Sequence, residues 1–137
     1  MTIKELSQLY HLNREIEMDK RRLDELELLA SSPKAQNLDG MPHAPGYGDA
    51  LARCVAEIVD LKAIISAKQQ QCIYERNRLE RYISSIPDSL TRQIFTYRFV
   101  NGLSWWQVAY SIGGGNTEAS VKMTCYRYLN AEKSDKN

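Results

Sequence analysis

The sequence has few residues that interrupt helices and none of the common patterns that mark an enzyme site. Its 137 residues include four prolines and seven glycines, mostly in two places, so helix is favoured over the rest of the chain. The patterns HExxH, GxSxG and GxxxxGKS/T do not occur. We therefore predict that the chain has no catalytic residues, binds no cofactor and is not an enzyme.

The sequence also lacks the features of membrane, secreted and metal-binding proteins. The cysteines Cys54, Cys72 and Cys125 include no CxxC pair, which favours free thiols in a reducing cytosol over disulfides or zinc. His43 has only His11 as a second histidine, so we predict no metal site. No apolar run approaches the roughly 20 residues of a membrane helix, and the charged start resembles no secretory signal. We expect a cytoplasmic protein without a membrane partner.

An excess of charge of either sign is missing as well. The formal net charge is +1, so composition alone does not indicate a nucleic-acid partner. Residues 84–137 hold six Lys+Arg and four Asp+Glu, net +2. The basic excess on the C-terminal side is therefore slight.

What the sequence does contain is helical periodicity. Residues 2–30 and 49–85 each predict a long helix, and the second carries an apolar residue at every seventh position: Leu51, Ile58, Ile65, Cys72, Leu79 and Ile86. Such a repeat is typical of coiled-coil packing. Because the Pro/Gly-rich connector 31–48 separates the helices, we predict an antiparallel helical hairpin over residues 1–85. A second copy of the chain is an alternative or additional partner. Asp19 falls in the seam, where an acid is costly unless it is paired or lies at the rim.

The last third has a different pattern, with two short helices around a glycine-rich corner. Ser104 and Gln107 form a capping box, and Gly113-Gly114-Gly115 ends the first helix. Asn116 or Thr117 caps the second helix, whose apolar stripe is Val121, Cys125 and Leu129. With a preceding helix, this predicts a three-helix module with a helix-turn-helix over residues 86–130. An ordinary helical hairpin fits the same pattern. Residues 131–137 are predicted to fray. The predicted fold class is all-α.

In the helix-turn-helix interpretation, the second short helix enters the major groove of DNA. Thr117, Glu118, Ser120 and Thr124 are then the candidates for base edges. Lys122 and Arg127 would hold phosphates. The remaining candidates for DNA contact are Asn116, through its amide, and Met123.

The stretch Ile86–Ala109, with Asn101-Gly102-Leu103-Ser104 at its turn, resembles region 4 of the sigma-70-type factors. Ser120-Val121-Lys122 lies where their recognition helix carries Thr-Val-Lys or a similar triplet. The resemblance covers roughly the last 50 residues. With its coiled N-terminal part, the chain is also similar to phage and prophage regulators of the ArpU-like and RinA-like kind. The Gly113–Asn116 corner is about two residues longer than the usual sigma turn, which puts the interhelical angle in question.

The resemblance implies a sequence-specific transcriptional regulator of phage or prophage origin, in the cytoplasm of a bacterial host. Its partners would be double-stranded DNA and RNA polymerase, with a homodimer or higher homo-oligomer formed through the long helices. The alternative is a phage structural or assembly protein, or a small terminase-like DNA-packaging subunit, built on a coiled-coil oligomer.

Overall fold

The computed structural model describes residues 1–31 and 47–136, and this part of the chain contains helices and no strands, as the all-α prediction requires. None of its helices is both long and apolar enough to span a bilayer. The bounds are α1 Ile3–Leu6, α2 Gln8–Ala30, α3 Tyr47–Ser84, α4 Ser89–Phe95, a π-helical segment Thr96–Val100, α5 Trp105–Ile112 and α6 Glu118–Asp135.

The chain forms two compact units, one of residues 13–71 and one of residues 1–12 with 72–137. This division differs from the motif boundary predicted at 85/86. The reason is that Leu6, Leu9, Leu79 and Ile83 belong to the same buried cluster as Ile94. The start of the chain and the end of α3 are therefore part of the C-terminal unit.

The unit of residues 13–71 is an antiparallel helical pair. Ion pairs join Glu15 and Asp19 to Lys68, Arg22 to Glu57, and Glu27 to Lys62. The Cys54 thiol donates to the carbonyl of Leu26 at 3.4 Å. Residues later in α2 contact residues that are, in general, earlier in α3, so the two helices run antiparallel.

Asp19 has the partner that its seam position requires. Its Oδ2 lies 2.6 Å from Nζ of Lys68, and Glu15 is 3.5 Å from the same nitrogen. The hydrogen bond that Lys68 donates to Asp19 raises the pKa of Lys68, because it stabilises the charged ammonium. The predicted weak point of the coiled-coil seam is thus neutralised inside the hairpin.

The seam of the hairpin is covered unevenly. Ile65 is 6% exposed, whereas Leu51, at the same heptad position two repeats earlier, is 38% exposed. Val55 and Val59 are also exposed. The heptad repeat therefore coincides with the packed side of α3 at Ile65. Towards the start of α3, apolar side chains are exposed to solvent.

Three local predictions differ from the structure. The first predicted helix is interrupted at Ser7, between α1 and α2, although its capping box of Thr2 and Glu5 is present. The α3 helix begins at Tyr47, so Asp49 lies in its first turn instead of capping it. Of the predicted connector 31–48, residues 32–46, including His43, lie outside the described residues.

The predicted frayed tail over 131–137 is the third difference, because α6 continues to Asp135. The Glu132 carboxylate accepts a hydrogen bond from the Tyr82 hydroxyl and lies 2.6 Å from the Met1 amino group. These contacts bind the last turns of α6 to the C-terminal unit, which local charge alone does not predict. Residue 137 lies outside the described residues.

Candidate functional site

The helix-turn-helix elements are held by a buried core. Val108 of α5 and Val121 and Cys125 of α6 are fully buried, in one cluster with Ile94 and Phe95 of α4. Burial raises the pKa of the Cys125 thiol to about 12, so this cysteine is a packing residue and not a nucleophile. Both helices therefore rest on α4, as a three-helix module requires.

The start of α5 is closed by its own side chains. The Gln107 amide donates to the Ser104 hydroxyl at 3.2 Å, and the Ser104 amide donates to the Gln107 side chain at 2.8 Å, which is the predicted capping box. Arg98 donates to the Leu103 carbonyl at 2.9 Å, and its guanidinium lies 4.7 Å from the ring centroid of Trp105. Arg98 is thus used to secure the turn before α5.

The corner between α5 and α6 consists of glycines in left-handed conformations. Gly113, Gly114 and Gly115 have φ values of +69°, +64° and +78°. The Asn116 side-chain amide donates to the Gly113 carbonyl at 2.8 Å, which closes the corner. The triple glycine is thus required by backbone geometry, since other residues rarely adopt positive φ.

The first turn of α6 is closed by a second capping box, with Thr117 as the N-cap. The Ser120 amide donates to the Thr117 hydroxyl at 3.1 Å, and the Thr117 amide donates to the Ser120 hydroxyl at 2.9 Å. The Thr124 hydroxyl donates to the Ser120 carbonyl at 2.9 Å. The three hydroxyls predicted to read bases are therefore engaged by the backbone of their own helix.

The exposed face of α6 differs in part from the predicted one. Thr117, Glu118, Lys122, Met123 and Arg127 are exposed as predicted, whereas Asn116, Ser120 and Thr124 are half-buried. Three exposed residues of this face were not among the predicted contacts: Ala119, Tyr126 and Asn130.

The sequence contains a signal for the face of α6 that is exposed. Residues Ala119, Met123 and Arg127 each precede one of the buried residues Val121, Cys125 and Leu129 by two positions. A two-residue step turns an α-helix by about 200°, so the first set lies opposite the second. Ser120 and Thr124 were predicted on this opposite face, but they lie beside it, where both side chains are half-buried.

The cations of this face are Lys122 and Arg127, and Glu118 lies one helical turn before Lys122. Within the described part of the chain, Lys122 and Arg127 take part in none of the ion pairs, which lie elsewhere. Both side chains remain available to an external anion.

Two other surface features lie on or beside the three-helix module. Trp106 and Tyr110 of α5 are 63% and 80% exposed and stack with ring centroids 5.8 Å apart. A groove of about 420 Å³ is lined by Tyr10, His11, Arg98 and Gln107, among others. Within residues 1–31 and 47–136, no cluster of His, Cys, Asp and Glu could hold a metal ion.

Comparison of the chain with known protein families, with curated proteins and with solved structures finds no match.

Proposed function

We propose that this chain is a sequence-specific DNA-binding transcriptional regulator of phage or prophage origin, acting without enzymatic chemistry in the cytoplasm of a bacterial host. The observation that carries the proposal is the exposed, capped α6 packed on α4 and α5 behind a glycine corner. This is the arrangement by which a helix-turn-helix presents a recognition helix to the major groove.

The chemistry of the exposed α6 face supports a duplex as the partner. Lys122 and Arg127 can bind phosphates, and the Glu118 carboxylate can accept from a cytosine amino group. The Asn116 backbone amide, predicted to hold a phosphate, donates to the Gly113 carbonyl at 3.2 Å and closes the corner. The amides of Glu118 and Ala119 in the first turn of α6 are therefore the donors that we propose for a phosphate. Thr117, Ser120 and Thr124 serve chiefly to hold the shape of this surface.

Two cations form a small electrostatic footprint, so one module is expected to bind weakly. We propose that a homodimer or higher homo-oligomer through the long helices supplies a second half-site and raises the overall affinity. The exposed Val55 and Val59 of α3 support that role. Contact with RNA polymerase is a further proposal that depends on the sigma resemblance.

The test is fluorescence anisotropy of a labelled duplex taken from the DNA flanking the gene, titrated at several salt concentrations. The double variant Lys122→Ala, Arg127→Ala should weaken binding and reduce the slope of log affinity against log salt by about two. The matched control is Lys20→Ala, Arg21→Ala on α2, which removes the same charge from another exposed surface.

Equal loss in both double variants would show that charge anywhere on the chain suffices, which contradicts a specific α6 interface. Absence of duplex binding by the parent protein, together with assembly into large rings, would favour the structural or DNA-packaging alternative. Circular dichroism of each variant shows whether its helices are retained.

A further inference from the structure

The line along the middle of the exposed α6 face begins with two apolar side chains. Ala119 and Met123 are one helical turn apart, and both are exposed, Met123 to 51%. They lie opposite the buried stripe of Val121 and Cys125 and therefore point away from the core. In a helix-turn-helix, residues in this N-terminal half of the recognition helix are those that reach base edges.

In the first two turns of α6, few side-chain hydroxyls are available to form hydrogen bonds with bases. The Ser120 hydroxyl exchanges hydrogen bonds with Thr117 at 2.9 Å, and the Thr124 hydroxyl is held by the Ser120 carbonyl. The first two turns of α6 consequently present apolar atoms at their centre, with Glu118 and Lys122 as the charged neighbours.

The apolar group that a base pair offers in the major groove is the thymine 5-methyl. We propose that Ala119 and Met123 are specificity-determining residues that contact thymine methyl groups, an inference that rests on the proposed function. Side chains one turn apart have Cβ atoms about 6 Å apart, and bases on one strand rise by about 3.4 Å. The two contacts therefore fall on thymines one or two base steps apart.

Charge complementarity supports DNA over a protein partner for this face. Lys122 lies beside the line through Ala119 and Met123, and Arg127 continues that line by one further turn. Neither takes part in the ion pairs of the described part of the chain. A short apolar strip with one cation beside it and another at its end suits a groove whose bases are bordered by phosphates.

The experiment uses the full chain and a labelled duplex that the chain itself selects from a random library. Each thymine of the selected site is replaced in turn by deoxyuridine, which lacks only the 5-methyl group. We expect a loss of about fourfold in affinity per contacted methyl, the value for burial of one such group. Met123→Ala should abolish that loss at one position.

The matched control is Met18→Ala, because Met18 of α2 is a similarly exposed methionine, at 66%. It should leave the deoxyuridine penalty unchanged. The deoxyuridine series uses the unaltered protein, so its result does not depend on the folding of any variant.

Equal affinity for thymine and deoxyuridine at every position overturns the inference and leaves the proposed function intact. A penalty that persists in full in Met123→Ala overturns the role given to Met123. If no duplex sequence is enriched at all, the result contradicts the proposed function, and with it the inference that rests on it.

Discussion

At the scale of single residues, the start of α6 shows that a hydroxyl next to the proposed binding surface can already be used by the backbone of its own helix. The Ser120 and Thr117 hydroxyls each accept from the other residue's backbone amide, and these two amides would otherwise lack partners. Replacing Ser120 therefore removes a cap as well as any external contact. For that reason Lys122, Arg127 and Met123 are the sharper probes of this surface.

Gly113 is the residue where backbone conformation is most restrictive. Its φ of +69° and ψ of −152° suit glycine alone, and an added Cβ would meet no atom within 4 Å. We expect Gly113→Ala to lower the free energy of unfolding by about 1–3 kcal/mol, through backbone strain alone. Urea denaturation followed by circular dichroism measures this.

The control for Gly113 is Gly48→Ala in α3, where an added Cβ is equally unobstructed. Because Gly48 is helical, alanine there should be neutral or stabilising by up to about 1 kcal/mol. Equal effects at the two glycines would contradict the assignment of strain to the corner.

Asp88 links stability to pH at the start of α4. Its carboxylate accepts from the Thr91 hydroxyl at 2.7 Å and the Thr91 amide at 3.0 Å, and these bonds lower the pKa of Asp88. A lowered pKa gives stability that is present above the pKa of the unfolded chain and is lost as pH falls through the folded value.

Asp88→Asn keeps a capping oxygen at every pH but lacks the charge. We expect the parent protein to melt at a higher temperature than this variant near neutral pH. The difference should shrink as the solution is acidified below about pH 4. Thermal melts across the acidic range test this, and a gap that does not change with pH would contradict it.

At the scale of elements, the hairpin depends on one side of α3. Ile65 is 6% exposed, whereas the adjacent Ile64 is 46% exposed. Ile65→Ala should lower the free energy of unfolding by about 2–5 kcal/mol, by loss of burial and creation of a cavity. Ile64→Ala makes the same chemical change on the open side and should have an effect within about 0.5 kcal/mol.

Denaturant titration of both isoleucine variants gives the comparison. Similar losses at the two positions would mean that both faces of α3 are covered in solution, which contradicts the uneven seam.

Local patterns were sufficient to predict most elements but not their ends. The box of Ser104 and Gln107 and the glycines of the corner are short-range signals, and both α5 and the corner were predicted correctly. The extension of α6 to Asp135 is accompanied by the hydrogen bond that Tyr82 donates to Glu132. A contact between residues 50 positions apart leaves no trace in helical periodicity.

At the scale of the whole molecule, the division into compact units was beyond sequence reasoning for a similar reason. The heptad repeat of α3 runs unbroken from Leu51 to Leu79, yet Leu79 is buried in the cluster that includes Leu6 and Ile94. Periodicity indicates which face of a helix is apolar but not which partner covers it. In the same way, periodicity indicates which residues of α6 face outwards but not which molecule they contact.

The hairpin unit leads to a prediction about assembly. Its described residues include few buried apolar side chains, namely Ile16, Leu26 and Ile65, so we expect self-association to cover Val55 and Val59. The double variant Val55→Glu, Val59→Glu should shift the sedimentation coefficient towards the monomer with helicity retained. The control Gln70→Glu adds a charge at an exposed polar position of the same helix. A parent protein that sediments as a monomer at every concentration would contradict this prediction.

The corner and cap of α6 also bear on the kinetics of the DNA recognition that we propose. A surface whose first turn is already closed has no disorder-to-order step to complete when it meets its target. Encounter should then proceed at a rate set by diffusion and ionic strength, and differences between target sites should appear mainly in residence time.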